Sequence, residues 1–512
     1  MSQASHTSEI KSPTFSTTPT WLNRARIISA VAYILILIGY LIFIIVCIAR
    51  YPSCERAPST PWWFNSVFLR LSTRTLTFND IQQKLNDYQS NFSLQALWLS
   101  PVMRLSAESN PLAWNDIEMN LGGESALMNL INKSHENDLR IIVDYPLNHL
   151  SIQSSKYLAN NDSYFVWNDQ GNLSNWVTVD NPQKSAWTYN NRKNSFYLHQ
   201  FDRNSDAIDV NYRNNRVFND VINSLSSWDT KYLFDGFNIQ GISYAYEDYE
   251  YQNEDVNGSS RTRHLDEDYL LLARIRSEIN QNKLLLLDSV DSLSTSNDQL
   301  LTRYYGDENK SLGGVQIASI NDFILTDAHS NNVTGIFLRY SQSIFFQRNQ
   351  PLIWSSLSSN SQLNEAFFAA CLFHVGVVAI DLERQGQQFT NDQLSRLKQI
   401  STFVRTLDVF RAGRLQQNIL SDSKLLTIER ARRGSRHHMI IINLSDTVRE
   451  DKIELKEGNT NAVEVLLTNL ANPGVKYETN ALLDMTEPIR LEPYEYIILR
   501  WSPSIDGLGI IF

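Results

Sequence analysis

The chain has 512 residues, 42% of them hydrophobic, 11% aromatic and 20% charged, a composition that excludes a disordered chain and a length that calls for about two or three domains. A formal net charge of -10 without a basic stripe excludes a nucleic-acid-binding surface. The three cysteines, Cys47, Cys54 and Cys371, form no CxxC or Cys/His cluster, so no structural zinc, no other metal and no cofactor is expected.

The first element in chain order is an apolar run at residues 27–49 that contains no charged residue. It meets the roughly 20 residues that a helix needs to cross a bilayer, and it is longer than the core of a signal peptide. Residues 1–26 then read as a cytoplasmic tail. Lys11, Arg24 and Arg26 precede the run while Arg50 and Arg56 follow it, a lean toward an inside N-terminus. Asn-x-Ser/Thr sequons stand at Asn91, Asn132, Asn161, Asn172, Asn257, Asn309, Asn332 and Asn443, all after the run. Together they place the C-terminal part outside the cell, which makes a single-pass, type II plasma-membrane protein. Ala25, Ser29, Ala32 and Gly39 fall near one helix face, where small residues allow close helix packing in lipid.

Residues 50–64 read as an extracellular neck. Cys54 lies between Pro52 and Pro58, which disfavour a helix and leave the thiol exposed. Outside a cell, an unpaired thiol points to an intermolecular disulfide. The alternative is a free or lipidated juxtamembrane cysteine.

Beyond residue 65, short apolar runs alternate with helical patterns. Strands are expected at residues 94–101, 139–145, 234–239, 283–288, 315–318, 351–355 and 374–381, with a helix at 124–137. Short, continuous, helix-separated runs are the mark of buried parallel strands. About eight such units indicate an α/β fold, a (β/α)8 TIM barrel over residues 65–414 with a small inserted domain at about 150–205. From residue 415 the pattern changes to strands alternating with Gly, Asn and Pro turns, an antiparallel β-sandwich domain over 415–512.

Several of these segments resemble the α-amylase family of glycoside hydrolases. AlaLeuTrpLeuSerProVal resembles its second-strand motif. Asp144, Asn148 and His149 keep an Asp-x-x-x-Asn-His pattern after the third strand, and SerAlaTrpThrTyr and TyrLeuHisGlnPhe resemble segments near the inserted domain. A retaining glycosidase needs a carboxylate nucleophile and a carboxylic acid. The resemblance places the nucleophile in Gly-Phe-Arg-x-Asp at the fourth strand, where this chain reads Gly236, Phe237, Asn238, Ile239 and Gln240. An amide at 240 forms no glycosyl ester, and Asn238 replaces the arginine that would orient the nucleophile. The acid/base glutamate falls at Asp288 or Ser289, and neither is Glu. These positions are therefore expected to form a degenerate site with no catalysis, in which Asp144, Asn148 and His149 survive as a hydrogen-bonded cluster.

A barrel of this type behind a single span and a neck cysteine further resembles the heavy subunits of heteromeric amino acid transporters, the rBAT and CD98 heavy-chain type. The stretch CysGluArgAlaProSerThrProTrpTrp carries that resemblance. It implies that Cys54 bonds a multi-span light subunit, whose surface expression and amino acid transport this chain would support as a non-enzymatic partner. The alternatives are a membrane-bound α-glucosidase with displaced carboxylates, drawn from Asp288, Asp381 or Glu383, and a cell-surface adhesion or signalling glycoprotein.

Overall fold

A computed structural model describes the chain between residues 19 and 502; residues 1–18, 51–58, 161, 170, 172, 202–205, 256–259, 291–301, 307–313, 321–322, 330–331, 348–349, 382–388, 421–423, 456–462, 471–476 and 503–512 lie outside the described residues. The chain divides into two units, Met1–Arg56 and Ala57–Phe512. In the first, helix α1 runs over Thr20–Arg50. Within Thr20–Ile48 an 18-residue stretch has a mean hydropathy of 3.1, with none of it buried in the fold. At 1.5 Å per residue the helix is roughly 46 Å long, enough to cross a bilayer. It starts seven residues before the apolar run, because hydropathy marks what enters lipid and not where helical backbone begins. Cys54 lies outside the described residues.

In the second unit eight parallel strands close into a barrel: β1 Ser66–Ser72, β2 Ala96–Ser100, β3 Arg140–Pro146, β4 Gly236–Gln240, β5 Leu284–Val290, β6 Ile317–Ile320, β7 Leu352–Trp354 and β8 Gly376–Asp381, with β8 pairing back to β1. The two faces of each strand bury different residues. Phe68, Trp98, Ile142, Leu286, Ile317, Ile353 and Ala379 fill the interior as one cluster. Leu69, Leu97, Val143, Phe237 and Leu285 belong to the larger cluster shared with the surrounding helices. Each fully buried side chain of this size contributes about 1.5–3 kcal/mol. Trp63 joins the interior cluster, with Trp62 and Phe64 packed against it. The neck expected to reach residue 64 therefore ends earlier, and its tryptophans form the floor of the barrel.

The helices flanking the strands include α2 Gly123–Glu136, α3 Asn215–Ser227, α4 Asp266–Glu278, α5 Val333–Gln342, α6 Ser361–Phe373 and α7 Asn391–Thr406. Thr390 and Gln393 close a reciprocal capping box at the start of α7. The insert between β3 and α3 has its own core of Val166, Trp176, Ala186, Trp187 and Leu198. It is pinned at its base where His149–Ser151 pairs antiparallel with Ala207–Asp209.

The C-terminal domain contains strands β9 Arg414–Ile419, β10 Leu426–Ala431, β11 His437–Ile442, β12 Arg449–Asp451, β13 Val463–Thr468, β14 Leu482–Leu483, β15 Ile489–Leu491 and β16 Tyr496–Trp501. They form an antiparallel sheet ordered β9-β10-β11-β16-β13-β14, with β12 and β15 as a second, two-stranded layer. One face of the large sheet, with Ile428, Ile440 and Ile498, packs into the barrel's helical core. The other, with Met439, Ile441, Val465 and Leu499, is covered by residues such as Ile453, Ile489 and Leu491. Burial on both faces explains the continuous apolar run at 439–442. Asn443 in this domain is 1% exposed, and its Nδ2 donates to the carbonyls of Thr447, Leu491 and Glu492. That corrects its place among the glycosylation candidates, because the nitrogen a glycan would need is engaged inside the fold. Asn91, Asn132 and Asn332 are exposed, while Asn161, Asn172, Asn257 and Asn309 lie outside the described residues.

Candidate active site at the mouth of the barrel

Ligand chemistry in a (β/α)8 barrel gathers where the strands end at their C-terminal face. Asp144 near the end of β3 is the most heavily bonded residue of this mouth. Trp98 Nε1 and Asn238 Nδ2 each donate to its Oδ1 at 2.7 Å, Ser100 Oγ donates to Oδ2, and Arg70 Nη2 lies 3.6 Å from Oδ2. The Arg70 guanidinium sits 4.6 Å from the centre of the Trp98 ring. These contacts hold the Asp144 carboxylate in one orientation.

Asn148 and His149 do not join that network, which corrects the expected three-residue cluster. Asn148 sits beside Asp209, whose carboxylate also accepts the Gln200 N–H at 3.2 Å. His149 stacks on Phe201 at 5.7 Å, and Phe201 meets Tyr244 edge-on at 5.1 Å. The chain reverses after β4 through Gly241, with φ +78°, where a Cβ would stand 2.7 Å from that of Asn148. Only glycine makes that turn without strain. It fixes Gln240, whose carbonyl accepts the Leu147 N–H at 3.2 Å.

Two further carboxyls behind the mouth were not apparent in the sequence. Burial pushes Asp209 up to about 7, against the Gln200 N–H hydrogen bonds. Burial likewise pushes Glu247 up to about 7, although Arg213 pairs with it through Nη1 and donates to its carbonyl from Nη2. Both are fully enclosed and face protein groups, so they support the mouth rather than form its surface. Their signal in the sequence is slight, since an acidic residue in a loop reads as solvated.

Acidic residues also close two of the strands. Asp381 ends β8, in register with Arg70 of β1. Asp288 and Ser289 lie in the last turns of backbone of β5. Asn238 of β4 pairs with Leu286 of β5. Glu383 lies outside the described residues. Among the described residues, no group of three or more His, Cys, Asp or Glu side chains is arranged to hold a metal ion.

Residues 73–318 match the model of the alpha amylase catalytic domain. An alpha-glucosidase of Apis mellifera is 28% identical over 251 residues, covering 42% of this chain and 42% of the relative. Maltase 1 of Drosophila virilis is 26% identical over 334 residues, covering 55% and 50%. A trehalose-6-phosphate hydrolase of Bacillus subtilis is 24% identical over 282 residues, covering 50% and 49%. The chain spans about half or less of the length of these curated relatives. Among solved structures, trehalose-6-phosphate hydrolase of Bacillus licheniformis superposes with a TM-score of 0.72 at 13% identity, over 86% of this chain and 100% of that one.

These relatives overturn the expectation of a non-enzymatic transporter subunit. Their names are those of glycosidases, and the displaced-carboxylate alternative fits them better than the heavy-subunit identity or a role in amino acid transport. Gln240 and Asn238 still depart from the pattern at the fourth strand. Residues 73–318 of this chain are similar to the alpha amylase catalytic domain, and the chain shares the TIM-barrel fold of trehalose-6-phosphate hydrolase.

Proposed function

We propose that this chain is a membrane-anchored glycoside hydrolase of the α-glucosidase kind, acting on α-linked glucosides at the C-terminal mouth of the barrel. The observation that supports it is the agreement of the relatives' names, alpha-glucosidase and maltase. Hydrolysis requires one carboxylic acid to protonate the leaving oxygen and one carboxylate to act as nucleophile or base. Gln240 supplies neither. We assign the two roles to Asp288, two residues before the end of β5, and Asp381, which ends β8. The purified full-length chain in detergent is expected to release glucose from maltose or a p-nitrophenyl α-glucoside. Asp288→Asn and Asp381→Asn should each lower turnover by roughly a thousandfold or more. No release above a mock preparation would overturn the reading.

We further propose that α1 is the anchor, with the barrel outside the cell in the type II sense. Support comes from the span's length and hydropathy and from the exposed sequons Asn91, Asn132 and Asn332. Protease added to intact cells should degrade the barrel. A barrel protected until the membrane is opened would exclude this orientation.

A further inference from the structure

Asp144 is 4% exposed, and a buried carboxylate is stable only with a cation or a full set of donors. The strand register sets position 238 directly beside it, which makes that position a natural source of positive charge, and the resemblance places an arginine there. Asn238 brings only an amide. Its Nδ2 donates to Asp144, while its Oδ1 is buried without a hydrogen-bond partner. The charge comes instead from the other flank of the mouth. Arg70 on β1 reaches Asp144 across the face of Trp98, and Trp98 is itself held by the bond from its Nε1 to the same carboxylate. Arg70 is also the register partner of Asp381 across the β1–β8 seam. Backbone pairing thus sets Arg70 beside Asp381, while its guanidinium lies against Asp144.

We infer that Arg70 is the positioning residue of this mouth, supplying from the first strand the cation that would otherwise enter at position 238. It orients Asp144 for the hydrolysis proposed above, on which this inference rests. A second consequence is that arginine at 70 and arginine at 238 exclude each other. Asn238 is 0% exposed, and two guanidinium groups would compete for one carboxylate in the space it fills.

The test is a cycle of Arg70→Leu, Asn238→Arg and the double variant in the full-length chain, read by melting temperature and by kcat and KM on maltose. Alone, Asn238→Arg should lower the melting temperature by about 2–4 °C; in the Arg70→Leu background it should raise it. Arg70→Leu should reduce kcat by about tenfold with little change in KM, as expected of a group that orients rather than binds, and the double variant should recover part of that loss. Should Arg70→Leu fail to fold, Arg70→Lys replaces it. Lysine keeps the charge but loses the planar stack on Trp98, so its kcat should be intermediate and the near-UV circular dichroism of Trp98 should change. Equal melting shifts for Asn238→Arg in both backgrounds would overturn the inference, whatever the turnover. Absence of turnover in the unaltered chain would instead overturn the hydrolase reading, and the melting cycle would still decide the place of Arg70.

Discussion

Gln240 ends β4 where the chain turns through Gly241 beside Asn148. Converting the amide to an acid at this position should matter more than at any other surface of the mouth. Gln240→Asp is expected to raise maltose turnover by about tenfold or more if the position faces the scissile bond; unchanged turnover would show that the reaction bypasses the fourth strand. Asp209 and Glu247 give the mouth a pH dependence of another kind. Their folded values near 7 stand above the ordinary 3.8 and 4.5. The folded chain thus keeps protons that the unfolded chain has already released. The stability they contribute is fully present below about pH 4 and is lost as pH rises through about 7. Asp209→Asn should flatten the fall in melting temperature over that window and stabilise the chain at pH 8 by on the order of 1 kcal/mol or more. A melting profile parallel to that of the unaltered chain would count against it.

At the scale of elements, the tightest constraint is the start of β8. Gly376 has φ +132°, and a Cβ there would stand 2.0 Å from the Leu352 carbonyl oxygen. Backbone cannot give way as a flexible side chain does, so Gly376→Ala should cost roughly 4 kcal/mol or more and show as a large loss of folded yield or melting temperature. Such constraints explain what the sequence displays and what it hides. Strands β2 to β8 are legible because runs such as LeuLeuLeuLeu at 284–287 are buried on both faces. β1 is harder to see, since Ser66, Arg70 and Ser72 break its apolar run, and the reason for Arg70 lies 74 positions along the chain at Asp144. The site divides in the same way. The amide at Gln240 is visible in a five-residue pattern, whereas the separation of Asp144 from Asn148 and His149 depends on what the insert brings back, namely Phe201 and Asp209. Long-range contacts of that kind leave no local periodicity.

For the whole molecule, the barrel and the C-terminal sheet share one core, and polar bonds tie them as well. Tyr496 Oη donates to Glu365 at 2.9 Å while Arg396 holds the same carboxylate through two nitrogens, and Arg430 donates to the carbonyls of Phe373 and Phe410. Removing one partner of a buried charged pair typically costs about 3–5 kcal/mol, so Glu365→Ala should lower the single melting transition of both domains together. Two separate transitions would show that the domains unfold independently. A chain of residues 57–512, without α1, should remain in the aqueous phase and keep its fold, because the second unit has its own core.

Strand β16 is the last of the large sheet in sequence, yet it lies between β11 and β13 in its interior. On a ribosome, β9 to β11 and β13 to β14 emerge first as two separate pieces with apolar faces and open hydrogen-bonding edges. They can join only when residues 496–501 have cleared the exit tunnel. The sheet is consequently completed by its last strand, and until then Glu365 and Arg396 wait without the Tyr496 hydroxyl. Nascent chains arrested before residue 496 should stay sensitive to protease in the C-terminal domain and engage chaperones, whereas arrest within an added C-terminal extension that sets β16 about 40 residues from the arrest point, enough to clear the tunnel at roughly 3.3 Å per extended residue, should leave it resistant.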